Sequence, residues 1–311
     1  MRVSSPILFL VVVLAWGLTW YAIRLQLGAL PIEVEVFWRF VLATALLSLA
    51  LAASGRLRAV PWRLHGWMAL LGLTLFSTNF LLIYRSETWL PSGVASVVFS
   101  MATVLTAFNR WWLLGQRPTI RVLTGALLGV VGVALLFGVD AGPHRSGMLI
   151  GVALALGGTM FFSLGNLVSA RIAVTGTDLP NAVLRGMGWG AAALALVMLF
   201  EHDRFAIVPT LPWLGSLAYL AVIGSVVGFL AYLSLALRIG ADRAAYATVL
   251  SPVVALLVSS LFETYRWTPG AILGLALVLL GNVVIFARLP RHSRLRSPWT
   301  LLSGRAKHSR P

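Results

Sequence analysis

The chain has 311 residues, of which 59% are hydrophobic and 11% charged, with a formal net charge of +15. Soluble domains carry about a quarter charged residues and under half apolar ones, so this composition excludes a cytosolic enzyme, a secreted domain and a disordered chain. The absence of cysteine excludes a disulfide framework, a thiolate metal site and a cysteine nucleophile.

A helix needs about 20 apolar residues to cross the hydrocarbon core. Ten such runs follow one another, at approximately 6–24, 32–53, 66–84, 92–114, 119–138, 147–170, 180–200, 213–237, 243–262 and 269–288. None alternates as a ten-residue outer-membrane strand does, so each is predicted to be a helix. The first follows Arg2 as a signal peptide would. No small-residue cleavage site follows it, and Arg24-Leu25-Gln26 leads straight into the next run, so it reads as a retained span.

Lysine and arginine placement orients the spans. With the N-terminus cytoplasmic, 18 of the 24 basic residues fall on that side, and Arg24, Arg39, Arg85, Arg145, Arg204 and Arg266 fall on the other. Seven of the nine acids, among them Glu33, Glu35, Glu87, Glu201 and Glu263, take the far side. The predicted localisation is the inner membrane with both termini cytoplasmic. The basic excess is topological, and no nucleic acid is expected as a partner.

The second half echoes the first. A slide of 147 residues puts Gly93 on Gly240, Phe99 on Tyr246 and Leu114 on Leu261. Beyond the short loop, a slide of 149 puts Thr119 on Thr268, Gly125 on Gly274, Gly132 on Gly281 and Phe137 on Phe286. Five spans per half is an odd number, so the copies enter the membrane from opposite sides. Secondary transporters are built in this way, with the substrate near the midplane between the halves. The predicted fold is thus an all-α integral membrane protein of ten transmembrane helices in two inverted repeats, 1–142 and 143–288. A basic tail, 289–311, reads as a disordered cytoplasmic segment that touches anionic lipid or serves topology alone.

Four short motifs add a resemblance. Span one carries Trp16-Gly17 and ends at Arg24, and span two carries Trp38-Arg39-Phe40. Span four closes in Leu113-Leu114-Gly115-Gln116-Arg117-Pro118-Thr119, and span nine carries Leu250-Ser251-Pro252-Val253-Val254-Ala255 and closes in Leu261-Phe262-Glu263. In this order, over residues 6–288, the motifs resemble the EamA-type ten-helix exporters of the drug/metabolite transporter superfamily. Gln116 stands where the family's first half usually has Glu, and Leu105 where its Pro would align. The resemblance implies duplicated five-helix halves and export of small molecules through a cavity walled by spans one, three, four, six, eight and nine.

A charged side chain within a span is costly and usually functional, yet no Asp or Glu falls near the middle of any run. Either a rim acid couples transport to protons, or the protein is a facilitator. Arg39 lies two turns into span two with Glu35 one turn before it. That spacing predicts an ion pair at the outer interface, with a contact to a substrate carboxylate as the second reading.

The candidate substrate-binding residues are Trp16 and Trp20 of span one, Asn79 of span three, Phe99 of span four, Ser163 and Asn166 of span six, Tyr232 of span eight and Tyr246 of span nine. Aromatic walls with a few hydrogen-bonding groups suit a small, mostly apolar solute. Ser, Thr and Asn also bond across packed helices, so the same residues read equally as interhelical ties. Trp62, Trp67, Trp89, Trp213 and Trp267 are expected at the interfacial belts.

The almost purely apolar spans five and ten suit a lipid-facing or homodimer-forming position. Gly125/Gly129, Gly186/Gly190, Gly224/Gly228 and Gly270/Gly274 read as close helix packing. The five His residues lie in loops or tails, and there is neither metal-ligand spacing nor a phosphate-binding loop. No catalytic residue, metal or cofactor is expected, which leaves an intramembrane enzyme as the weaker rival. The expected function is ATP-independent export of small organic metabolites, amino acids first, with lipophilic-drug efflux as the alternative.

Overall fold

The computed structural model describes residues 3–138, 145–239, 244, 246–263 and 267–286. The tail 289–311, together with Gly240, Asp242, Arg243 and Arg266, lies outside the described residues. In chain order the helices are α1 (Ser5–Arg24), α2 (Ile32–Ala53), α3 (Trp62–Glu87), α4 (Ser92–Leu114) and α5 (Ile120–Gly138). They continue with α6 (Arg145–Ala173), α7 (Leu179–Glu201), α8 (Leu211–Ile239), α9 (Tyr246–Phe262) and α10 (Pro269–Phe286). Seven of these are long and apolar enough to cross a membrane, and α5, α9 and α10 are shorter apolar helices. No strand occurs among the described residues.

Local chemistry sets several helix ends. Pro31 and Pro91, both extended, lead into α2 and α4, since proline lacks the N–H that a first helical turn leaves unused. Glu33 and Glu35 sit in the first turn of α2, where the helix dipole favours negative charge. Gly115 ends α4 at φ 66°, a left-handed conformation that glycine adopts without cost.

Two helices widen into π-helical turns, α3 over Gly72–Thr78 and α8 over Leu220–Val227. These stretches begin 148 residues apart. A π turn takes backbone carbonyls out of the ordinary ladder. In α3 side chains answer them: Thr74 donates to the Leu70 carbonyl at 2.7 Å, Ser77 to Leu73 at 3.1 Å and Asn79 to Leu75 at 3.3 Å. In α8 the Gly224 carbonyl accepts instead from the Trp16 indole of α1, at 3.1 Å.

Glycine sets the closest helix approaches. A Cβ on Gly72 of α3 would lie 2.6 Å from the Gly190 nitrogen of α7. On α5 and α10 the contacts are crosswise: Gly125 meets the Gly281 carbonyl (2.6 Å from an added Cβ) and Gly132 meets the Gly274 carbonyl (2.5 Å). Residue number rises along one helix as it falls along the other, so the pair is antiparallel. The glycine faces of these two helices are thus turned to each other. Leu123, Leu127, Ile272 and Leu273 face outward.

Four of the five tryptophans expected at the interfacial belts are exposed or half-buried. Trp213 departs from that expectation: it is 1% exposed, because α8 turns it into the helix packing.

Candidate functional site

Seven helices close around one cavity. From α1 come Trp16, Thr19, Trp20 and Ile23, from α2 Arg39, and from α3 Asn79, Phe80 and Ile83. Phe99 of α4, Phe162 of α6, Phe229 of α8 and Ser251 of α9 complete the wall. The rings interlock edge to face: Trp16 lies 5.2 Å from Phe229 and 6.1 Å from Phe162, and Trp20 lies 5.4 Å from Phe99. Aromatic quadrupoles favour such edge contacts. The cavity is partly open, and its volume is about 40 Å³, room for about three waters. A solute of metabolite size therefore enters only as these rings shift.

Arg39 is the charged member of the wall. It is 1% exposed. Its Nε–H donates to Ser225 Oγ at 3.0 Å and its Nη1 to the Tyr84 hydroxyl at 3.4 Å. Tyr84 in turn donates to Gln26 Oε1 at 3.1 Å. The guanidinium carbon lies 4.3 Å from the Phe80 ring centre, a cation–π distance. Glycine makes room for it, since a Cβ on Gly224 would lie 3.3 Å from Arg39 Nη2 and 2.8 Å from Thr19 Oγ1.

The expected Glu35–Arg39 ion pair is absent. The ion pair seen among the described residues joins Arg85 and Glu33. Glu35 sits at the helix start, fully buried, while Arg39 is turned towards the cavity and held there by α3 and α8. The spacing allowed the pair, and packing from other helices redirected both partners.

Of the predicted site residues, the structure brings Trp16, Trp20, Asn79 and Phe99 to the cavity wall. Tyr232 stands behind it, 4.9 Å from Trp16. Ser163 is outside the wall: its hydroxyl donates to Thr106 at 3.0 Å and accepts from Asn109 Nδ2 at 2.9 Å, tying α6 to α4. Asn166 and Tyr246 are half-buried and not part of the wall.

Phe80, Phe162 and Phe229 were not among the sequence candidates, Arg39 entered only as the second reading of its spacing from Glu35, and α2 was not among the expected walls. The Trp38-Arg39-Phe40 motif was the available signal. Ser251 lies beside Pro252, whose missing N–H leaves the Thr248 carbonyl without its helical donor. The Ser251 hydroxyl leans towards that carbonyl at 3.4 Å.

Polar groups also tie helix termini together outside the wall. Arg24 of α1 donates to the Glu87 carbonyl at 2.7 Å, and Ser92 of α4 donates through both its N–H and its hydroxyl to Glu263 beyond α9. The Glu87 side chain is fully buried, and its carboxylate oxygens accept no hydrogen bond among the described residues. Away from the wall, Glu33, Glu201 and Asp203 bring carboxylate oxygens within 4.8 Å of one another, close enough to share a cation, although Arg85 already neutralises Glu33.

Apolar helices packed around a small cavity of rings and hydrogen-bonding groups are an architecture that membrane transport proteins share. The sequence profile of the EamA-like transporter family matches residues 4–138 and again 149–287, and the chain belongs to that family. It is 27% identical to the "Uncharacterized transporter YvbV" of Bacillus subtilis, over 89% of this chain and 90% of that protein. It is 26% identical to a "Probable amino-acid metabolite efflux pump" of Escherichia coli, over 89% and 93% of the two chains. A protein of known crystal structure superposes on 94% of this chain and 100% of its own, with a TM-score of 0.64 at 20% identity, a likeness of fold alone.

Proposed function

We propose that the protein is a secondary transporter that exports small organic metabolites, amino acids first, by alternating access without ATP. The observation that carries this reading is the cavity itself. It is built from helices of both halves, lined by rings, and supplied with a guanidinium, an amide and hydroxyls. The efflux pump named above is similar along nearly the whole chain, which supports the amino-acid reading. A buried guanidinium in the wall disfavours cationic drugs as cargo.

In this reading ten helices span the inner membrane as two inverted halves, 1–142 and 143–288, with both termini cytoplasmic. Three observations support the duplication: the twofold family match, the π turns 148 residues apart and the crosswise glycine contacts of α5 and α10. Gly125 corresponds to Gly274 and Gly132 to Gly281, yet Gly125 touches Gly281 and Gly132 touches Gly274. Equivalent residues exchanging contacts in this way are the signature of a twofold axis. A homodimer through α5 and α10 would have to use their outward leucine faces.

The test is uptake of labelled amino acids into proteoliposomes, with and without an imposed pH gradient, for the wild type and Trp16→Ala. Saturable uptake that the variant loses is the expected result. A requirement for the gradient would identify proton coupling and direct attention to the buried acids Glu35 and Glu87. A wild type that moves no amino acid would refute the substrate assignment.

A further inference from the structure

Two cavity groups have hydrogen-bonding capacity that the protein does not use, and they are of opposite character. Arg39 presents five N–H donors in a fixed fork, of which the Nε donor and one Nη1 donor are engaged, by Ser225 and Tyr84. No carboxylate among the described residues lies within the 4.0 Å ion-pair distance of it. Glu87 is near enough for the two charges to interact, but it too lies beyond that distance. A buried guanidinium without a paired acid is costly, and here it borders a space that a solute can occupy.

Asn79 stands on the same wall. It is 2% exposed, and its Nδ2 donates to the Leu75 carbonyl at 3.3 Å. That bond settles the amide orientation, because only the NH₂ side can donate to a carbonyl. The opposite atom, Oδ1, is buried with no partner, and an unsatisfied buried acceptor is rare in native packing. Asn79 also closes the π turn of α3, so its position is held by the backbone. Phe80, the next residue, holds the guanidinium by its ring.

We infer that Arg39 and Asn79 form a receptor for the paired head groups of a zwitterionic α-amino acid, Arg39 taking the carboxylate and Asn79 Oδ1 the ammonium. The inference rests on the transporter reading above and narrows its substrate class. The ammonium supplies a donor to the unused amide oxygen, the carboxylate supplies a counter-charge to the unpaired guanidinium, and the side chain is left to the aromatic wall. Amines without a carboxylate and acids without an amine each satisfy only one of the two groups. Ser225 and Tyr84, which are outside the wall, are positioning residues that aim the guanidinium, and Phe80 holds it by its ring from within the wall.

The test is counterflow of labelled L-phenylalanine and L-leucine in proteoliposomes of the full chain. Competitors are 2-phenylethylamine, 3-phenylpropionate and unlabelled L-phenylalanine, which share one apolar body and differ only in head groups. L-Phenylalanine should compete about 10- to 100-fold better than either single-headed analogue, the range expected for one charge-assisted hydrogen-bonding group. Arg39→Gln should raise the half-saturation concentration for L-phenylalanine by a similar factor, Arg39→Lys by less, and Asn79→Leu should abolish the preference over 3-phenylpropionate. The analogue series on the wild type decides the matter even where an Arg39 variant fails to fold. If 2-phenylethylamine competes as well as L-phenylalanine, or if folded, monodisperse Arg39→Gln keeps the wild-type half-saturation, the receptor is overturned while the transporter reading stands. A wild type that exchanges only solutes lacking a carboxylate also overturns the receptor alone, and one that exchanges nothing in the panel overturns both.

Discussion

Replacing Gly132 by alanine tests the packing of α5 on α10 at a single atom. The added Cβ would lie 2.5 Å from the Gly274 carbonyl oxygen and 2.9 Å from the Val278 nitrogen. Ordinary contact begins at 3.4 Å, so the helices must part by about 0.9 Å, and both obstacles are backbone that no rotamer change can move. Overpacking of this kind costs about 1–3 kcal/mol, and rigid backbone on both sides argues for the upper end. A gap of roughly 0.5–1 Å also forfeits a quarter to a half of the dispersion attraction along the neighbouring contacts. Against this, alanine gains about 0.5–1 kcal/mol over glycine within a helix. The net loss is about 2 kcal/mol, a fall of about 4–8 °C in Tm by the scaling for chains of somewhat smaller size.

The assay is thermal unfolding of the detergent-solubilised protein, followed by tryptophan fluorescence, beside a matched control. Gly215 of α8 is helical and exposed, with nothing within 4 Å of an added Cβ, so Gly215→Ala should leave Tm unchanged or raise it slightly. Adding Gly274→Ala to Gly132→Ala should cost less than the sum of the two, because the first change has already opened the shared contact. A Gly132→Ala protein that melts at or above the Gly215→Ala control would refute the reasoning.

Three further outcomes are expected. Trp16→Phe keeps the ring but removes the indole bond to the Gly224 carbonyl, so it should lower stability by about 0.5–1.5 kcal/mol. Trp16→Ala should cost about 3–5 kcal/mol, both read by thermal unfolding, with uptake lost only in the latter. Ser163→Ala breaks the α4–α6 tie and should lower Tm by an amount equivalent to about 1 kcal/mol, with the half-saturation for transport unchanged; a shifted half-saturation would place Ser163 in the solute path. Asn181 accepts from the Arg58 N–H and donates to the Arg56 carbonyl, each at 3.0 Å. Asn181→Ala should therefore cost about 1–3 kcal/mol, measured as a fall in Tm, through stranded backbone groups where α7 meets the segment after α2.

The helices were legible because apolar run length and flanking charge are local properties of the chain. So was the glycine periodicity of α5 and α10, whose close packing follows from the lack of a Cβ on either side. Trp16, Trp20, Asn79 and Phe99, which reach the cavity wall, stood out in the sequence because large rings and amides within apolar runs are rare. Ser163 shows the limit of that reasoning: a buried hydroxyl looks the same in a sequence whether it meets a solute or, as here, Thr106 and Asn109.

Arg39 shows the limit in the other direction. Under the proposed duplication Arg39 aligns with Gly186, 147 residues on, and Phe76 with Gly224, 148 residues on. Gly186 of α7 lies against the Phe76 ring of α3, and Arg39 of α2 lies against Gly224 of α8. At these two contacts the large and small partners have exchanged places, so a repeat read from matched glycines passes over Arg39. Residues four apart on one helix are neighbours by geometry, which is why Glu35 was the natural partner to read. Which of the groups within reach an arginine meets depends on the helices that pack against its face. α3 and α8 supplied a ring, a phenol and a hydroxyl and left the acid behind, and no pattern within α2 carries that information.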